Sequence, residues 1–157
     1  IRVLKFDRHS MISKKMKYAL KALIEIANTE ESYMSANDIA EKANIPYKFL
    51  EQILTELRRG RIISSKKGSA GGYYFLKKTA AINLAEIYRL IDGPIALISC
   101  ASINFYEPCT DCPDESTCTI HHALIKVRDE TLKVLESITI DDLAKGHKME
   151  VIYNYQI

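Results

Sequence analysis

The chain has 157 residues, 47% of them hydrophobic and 27% charged, which is apolar material for one well-buried core with a modest appendage. No run approaches the roughly 18 apolar residues of a membrane span and no secretory pattern opens the chain, so a reducing, cytoplasmic setting without a membrane partner is expected. The net charge of +2 conceals a division: residues 11–78 carry 13 Lys/Arg against 7 Asp/Glu and residues 79–157 carry 6 against 12, so the first half suits an anionic partner and the second does not.

Residues 1–10 precede the first methionine, Met11, and read as an extension or processed end outside the fold. From Ser13 the spacing turns helical: Met16, Leu20, Leu23 and Ala27 recur at four, three and four residues, with Ala19 and Ile24 widening the stripe, which predicts a helix over 13–28. Ser35 suits the N-cap of a short second helix with Ile39, Ala40 and Ala43 inward, and Asn44 suits its left-handed C-terminal position. Pro46 fits the first position of a third helix over 46–59, where its missing N–H is unneeded. That helix buries Leu50, Ile53, Leu54 and Leu57. Its other side shows Tyr47, Lys48, Glu51, Gln52, Thr55 and Arg59, groups able to bond base edges and phosphates, although a merely solvated helix has a similar composition.

Residues 62–76 read as two β-rich runs around a glycine-containing turn, with Lys66 and Lys67 at its tip. A basic hairpin directly after a helix-turn-helix is the wing of a winged helix, in which the third helix enters the major groove and the wing touches the backbone or minor groove. A nucleotide-binding loop is disfavoured, because strand, glycine-rich loop, Lys-Ser/Thr and helix do not follow in that order.

Asn83 can cap a helix carrying Leu84, Ile87, Tyr88 and Ile91, stopped by Asp92, Gly93 and Pro94. The longest helical pattern comes later: Ile120, Leu124, Val127, Thr131, Val134 and Ile138 alternate four and three residues apart, the spacing of a coiled-coil seam. Packing on the winged helix would account for that stripe too. Leu132 and Leu135 form a second apolar edge, however, so one helix has two surfaces to bury and is read as a dimerisation helix. Thr139 or Asp141 caps a short helix after it. The tail beyond Gly146, with Val151, Ile152 and Tyr153, is either a strand or disordered.

All four cysteines fall within nineteen residues, as Cys100-x8-Cys109-x2-Cys112-x5-Cys118, and His121 follows. The stretch EPCTDCPDESTC over 107–118 has too little apolar content to order itself, so if it is ordered a metal or a disulfide must cross-link it, and a reducing compartment favours the metal. Thiolates bind iron–sulfur clusters and zinc alike. The bland alternatives are a buried apolar thiol for Cys100, which follows Leu97, Ile98 and Ser99, and a polar surface role for His121. Asp111, Asp114 and Glu115 are read as keeping the loop solvated.

Several blocks in one order carry a family resemblance: MISKKMKYAL at 11–20, YKFLEQIL at 47–54, SSKKGSAGGY at 64–73, IDGP at 91–94 and TIDDL at 139–143. From Met11 to about Ala144 the chain resembles the Rrf-two family of bacterial winged-helix transcription regulators, of the IscR, NsrR and CymR type. The resemblance implies a homodimer whose winged helices, joined by long crossed helices, read a two-fold-related double-stranded operator. It implies recognition-helix contacts at Lys48, Phe49, Glu51 and Gln52 and a wing contact at Lys67; Lys48 and Lys67 depart from the cluster-binding members. Cys112-x5-Cys118-x2-His121 is similar to the second and third cysteines and the histidine of cluster-binding relatives. For the first cysteine, Cys109 is nearer to Cys112 and Cys100 farther than that pattern has it. Three ligand schemes are open: Cys100 or Cys109 with Cys112 and Cys118, or all four thiolates.

The expected architecture is mainly α with a small β-hairpin wing, a winged helix-turn-helix domain plus a long C-terminal dimerisation helix. It divides into an extension (1–10), the winged helix (11–78), a connecting helix and cysteine-rich sensor loop (79–118), the dimerisation helix and a short helix (119–145), and a tail (146–157). The expected function is DNA-binding regulation without enzymatic activity. Tyr47, Lys48, Phe49, Glu51, Gln52, Lys66 and Lys67 are the DNA-binding candidates, and Cys100, Cys109, Cys112, Cys118 and His121 the metal-binding ones. The cofactor expected is a 2Fe–2S or 4Fe–4S cluster, with zinc or none as alternatives. Two competing functions are a thiol oxidoreductase using Cys109-x2-Cys112 and a zinc-stabilised interaction module. Against the first, Pro108 and Pro113 place the motif in a loop, whereas a redox C-x-x-C usually opens a helix.

Overall fold

The computed structural model describes residues 12–68, 71–112 and 114–146, so the extension at 1–10 and the tail beyond Gly146 lie outside the described residues. In chain order the elements are α1 (Lys14–Asn28), α2 (Ala36–Ala43), α3 (Tyr47–Arg59), β1 (Ile63–Lys66), β2 (Gly72–Phe75), α4 (Leu84–Ile91), α5 (Thr119–Ser137) and α6 (Ile140–Ala144). Short 3-10 turns occupy Thr79–Ala81, Ser99–Ala101 and Glu115–Thr117.

Side-chain caps set most helix starts by satisfying N–H groups that the first turn leaves unpaired. Ser13 accepts from the Met16 N–H, Ser35 from Asp38, and Asn83 from Glu86. Thr139 and Asp142 form a reciprocal capping box at α6. Asn44, at φ 50°, closes α2 in the left-handed region. Pro46 sits one residue outside its predicted place, as the N-cap of α3. That position asks only for a carbonyl, which proline keeps, and the carbonyl accepts from the Phe49 and Leu50 N–H groups at 2.9 and 3.0 Å.

The predicted stripe of α3 is buried as read, whereas on α1 the buried face is rotated from the predicted one: Ala22 and Ile26 are inside, and Leu20, Ile24 and Ala27 are only half-buried. Met16, Ala19, Ala22, Leu23 and Ile26 of α1 pack with Leu50, Ile53, Leu54 and Leu57 of α3, and Ile39, Ile62, Ile63, Ile82, Ile87 and Ile140 close the cluster. The Asp92 carboxylate accepts from both the backbone N–H of Ser13, at 2.9 Å, and its hydroxyl. This clamp ties the end of α4 to the start of α1 and puts a negative group at a positive helix end.

β1 and β2 pair antiparallel, from Ile63 opposite Phe75 to Lys66 opposite Gly72. Met34, in the α1–α2 connection, bridges to Tyr73 through two backbone hydrogen bonds of 3.1 and 2.8 Å. The wing is thereby fastened to the helical body. Gly72 makes the approach possible, since a Cβ there would lie 2.5 Å from the Met34 carbonyl oxygen.

No residue of α5 is buried, although the helix runs for 19 residues. Ile120, Val127 and Val134, one heptad apart, are 65%, 45% and 58% exposed. The second edge, Leu132 and Leu135, turns to the body. Leu132 lies with Arg89, Ile95 and Phe105, and Leu135 lines an apolar hollow of about 220 Å³ with Tyr88, Ile95 and Leu97, which the seam residues Val127 and Thr131 also border. Ile138 lies just past the helix, so the seam stops one residue short of its predicted end. The backbone is extended there because the Ile138 carbonyl accepts from Leu84 N–H and Ile140 N–H donates to the Ile82 carbonyl, both at 2.9 Å. This bridge returns the chain to α1, where Ile140 is fully buried.

Candidate nucleic-acid interface and cysteine loop

Burial of the Leu50, Ile53, Leu54 and Leu57 side fixes which face of α3 is left outward. On it Tyr47, Lys48, Glu51 and Gln52 are exposed. Lys48, Glu51 and Gln52 line a shallow groove with Thr55, Glu56 and Arg59. Glu56 is held by Lys15 of α1 at 2.6 Å, and the Thr55 hydroxyl donates back to the Glu51 carbonyl at 2.8 Å. Phe49 differs from its neighbours: it is half-buried, edge-on to Tyr18 with ring centroids 5.6 Å apart. Its ring packs on the body and is not presented to solvent with the others.

Arg58 and Arg59 end α3, where positive charge complements the helix dipole. With Thr55, Ser64 and Leu76 they line a second hollow between the outward face of α3 and the wing. Both were within reach of sequence reasoning, as a basic last turn directly before a predicted wing. On the wing, Lys67 is exposed at the tip. The Lys66 ammonium lies over the ring of Tyr33 at 4.9 Å, and Tyr33 is edge-on to Tyr74 at 5.3 Å. Nothing local in the sequence marks Tyr33 as the support of a wing lysine.

The cysteine segment is more ordered than its composition implies, and acidic residues do the bracing. Glu115 accepts the Cys109 N–H at 2.9 Å and the Tyr106 hydroxyl at 3.0 Å, the first of which chiefly holds its carboxyl below the usual range. Asp114 accepts from both the N–H and the hydroxyl of Ser116, at 2.9 and 2.7 Å. Both carboxylates thus brace the loop's backbone and side chains, and Asp114 does so while remaining exposed to solvent.

The Cys112 thiol donates to the Cys118 sulfur at 3.5 Å. Cys118 is the N-cap of α5 and its sulfur accepts the His121 N–H at 3.4 Å. That N–H and the Cys112 contact lower the Cys118 thiol from its ordinary value. Donation to Cys118, and then to Cys109, pushes Cys112 up to about 12. Cys100 is 7% exposed in the turn Ser99–Ala101, and burial pushes its thiol up. Arg128 of α5 donates to the neighbouring Ala101 carbonyl at 2.5 Å, joining the start of the loop to the middle of the helix.

Soft sulfur donors and a buried imidazole Nδ1 of His121 without a hydrogen-bond partner suit an iron–sulfur cluster in kind. In arrangement, the described residues hold no group of three or more His, Cys, Asp or Glu side chains already placed around a common metal position. The Cys112–Cys118 pair is preformed, and a further ligand would have to swing in.

A helical body with a basic hairpin beside its third helix, and an arm helix held off the core, defines a winged-helix DNA-binding regulator. The chain belongs to the Rrf2 family, described as iron-dependent transcriptional regulator, whose match spans residues 12–146. It is 40% identical over 142 residues to an rrf2-like HTH-type transcriptional regulator of Rhodobacter capsulatus, covering 87% of this chain and 95% of the relative. It is 32% identical over 134 residues to the HTH-type transcriptional regulator CymR of Bacillus subtilis, covering 85% and 88% of the two chains. The solved structure of CymR, the global cysteine regulator of B. subtilis, gives a TM-score of 0.70 at 30% identity over 87% of this chain and 98% of its own. The protein is accordingly a DNA-binding transcriptional regulator of a family of regulators rather than enzymes. Among the described residues no helix is long and apolar enough to cross a membrane.

Proposed function

We propose that the chain acts in the cytoplasm as a homodimer on a two-fold-related DNA operator, with its DNA affinity set by the state of the cysteine loop. The exposed row Tyr47, Lys48, Glu51 and Gln52 on α3, adjoining a wing that carries Lys66 and Lys67, is the observation that carries this reading. In it Gln52 and Glu51 meet base edges, Lys48 and Lys67 meet phosphates, and Phe49 holds the helix at its angle. Residues 11–78 read the DNA, 79–118 hold the sensor loop and 119–145 pair the subunits. The open Ile120, Val127 and Val134 seam supports pairing through α5, which would set the two recognition helices about one DNA turn, ~34 Å, apart.

Cys112 and Cys118, with Cys109 or Cys100 as a third ligand and His121 as a further candidate, would hold an iron–sulfur cluster. Such a cluster would supply an oxidant-labile charged centre beside the start of α5. The chain's own part is mechanical: Cys118 caps α5 and Arg128 ties α5 to Ala101, so a change in the loop reaches the pairing helix. Only an occupant that discriminates between the two DNA-binding states can shift operator affinity.

The test is operator selection from a random duplex pool, followed by titration of wild type, Lys48→Ala and Lys67→Ala across salt concentrations. Each variant should bind more weakly, with a log–log salt slope shallower by about one phosphate contact. Wild-type affinity and slope in both variants would overturn the assignment of this face.

A further inference from the structure

We infer that Cys112 and Cys118 form an intrachain disulfide when the loop is unoccupied and meets a hydroperoxide, making the same sulfurs alternately ligands and a redox latch. This rests on reading the loop as a sensor and names its second state. The two sulfurs are already in contact at 3.5 Å and must approach by about 1.5 Å to bond, the scale of a side-chain rotation. Residues 114–118 are held in a turn by contacts that do not involve the sulfurs. Asp114 caps it through Ser116, and the Cys118 N–H donates to the Glu115 carbonyl at 3.2 Å. Both thiols are partly open to solvent, whereas Cys100 is buried in another turn and is shielded from reaction.

The chemistry balances with hydrogen peroxide as the oxidant. The Cys118 sulfur, which the His121 N–H faces at 3.4 Å, attacks one peroxide oxygen; the O–O bond breaks, and hydroxide leaves with the thiol proton as water. The Cys112 sulfur then attacks the sulfenic sulfur of Cys118. The S–S bond forms, the S–O bond breaks, and a second water carries away the hydroxyl and the Cys112 proton. Two thiols lose two electrons to one peroxide. The product fastens the loop to the N-cap of α5 and removes two donors from any metal site.

The experiment uses the full-length chain, reduced and stripped of metal, exposed to hydrogen peroxide, alkylated and digested by a protease cutting after glutamate. Cleavage after Glu115 separates Cys112 from Cys118, so their peptides remain joined only through a disulfide. The cross-linked pair should persist in Cys109→Ser and Cys100→Ser, vanish in Cys112→Ser and Cys118→Ser, and disappear from wild type on treatment with dithiothreitol. Four alkylated thiols after peroxide, or a cross-link lost in Cys109→Ser and kept in Cys112→Ser, would overturn the inference. DNA binding measured on the reduced sample separates the two readings. A chain that binds an operator yet forms no cross-link loses only the latch, and one that cross-links without binding DNA loses only the sensor role.

Discussion

Replacing Val127 and Val134 together by alanine should separate the subunits while leaving each one folded. The two side chains lie one heptad apart on α5, 45% and 58% exposed, and no residue of that helix contributes to the buried core. Each substitution removes two methyl groups, worth about 0.8 kcal/mol apiece on transfer from water. With about half of each side chain still to be covered, pairing should gain about 0.8 kcal/mol per valine. The two-fold axis presents every residue twice, so the double variant should lose about 3 kcal/mol, roughly a 150-fold rise in the dimer Kd. Sedimentation equilibrium over a range of concentrations measures that constant, and circular dichroism checks that the helical content is unchanged. A double variant that dimerises as tightly as wild type would show that the seam is not the pairing surface.

Other outcomes follow from single contacts. Gly72→Ala should destabilise the protein by about 1–3 kcal/mol in urea, because the new Cβ would sit 2.5 Å from the Met34 carbonyl oxygen, a backbone atom; an unchanged midpoint would mean that the Met34–Tyr73 bridge is dispensable. Asp92→Ala should cost about 1–2 kcal/mol by leaving the first turn of α1 without its clamp, and Asp92→Asn, which keeps an acceptor, should cost less. Thiol alkylation of the reduced protein should also be ordered. The lowered Cys118 thiol ionises at a lower pH than an ordinary cysteine, so it should react first near neutrality, while Cys112, pushed up to about 12, should stay protonated and slow until strongly alkaline pH. Equal labelling of the two at neutral pH would contradict the hydrogen-bonded pair.

Features that rest on one stretch of chain were legible beforehand. Ser35 and Asn83 announce helix starts because a cap bonds only two or three residues ahead, as does Thr139 from the pair Thr139 or Asp141. Ser13 falls inside the predicted helix and is instead its cap. The apolar stripe of α3 reveals its buried face fully and that of α1 in part. The exposed recognition row followed from the same periodicity, as the complement of the buried one. Phe49 entered through the family resemblance and not through periodicity, and its packing against Tyr18 on the neighbouring helix is a contact that the sequence pattern does not display. Contacts between distant residues left no local mark: the Asp92–Ser13 clamp spans 79 positions, and Met34 joins the wing without belonging to either predicted strand. In the loop, composition suggested charge facing water, and Asp114 does face it; that Asp114 and Glu115 also accept from Ser116 and Cys109 left no mark in the composition.

The return of the chain through Ile138 to Ile140 bears on how this protein is made. Ile140 fills part of the core that α1 opens, so the DNA-reading module is completed by a residue arriving more than a hundred positions after Met16. A fragment cut before α6 would leave a gap against α1 and expose apolar surface, and so would not keep the core intact. The two ends of the described chain are thus spliced into one folding unit. A ribosome must deliver nearly the whole described chain, the cysteine loop included, before the first helix has all its neighbours.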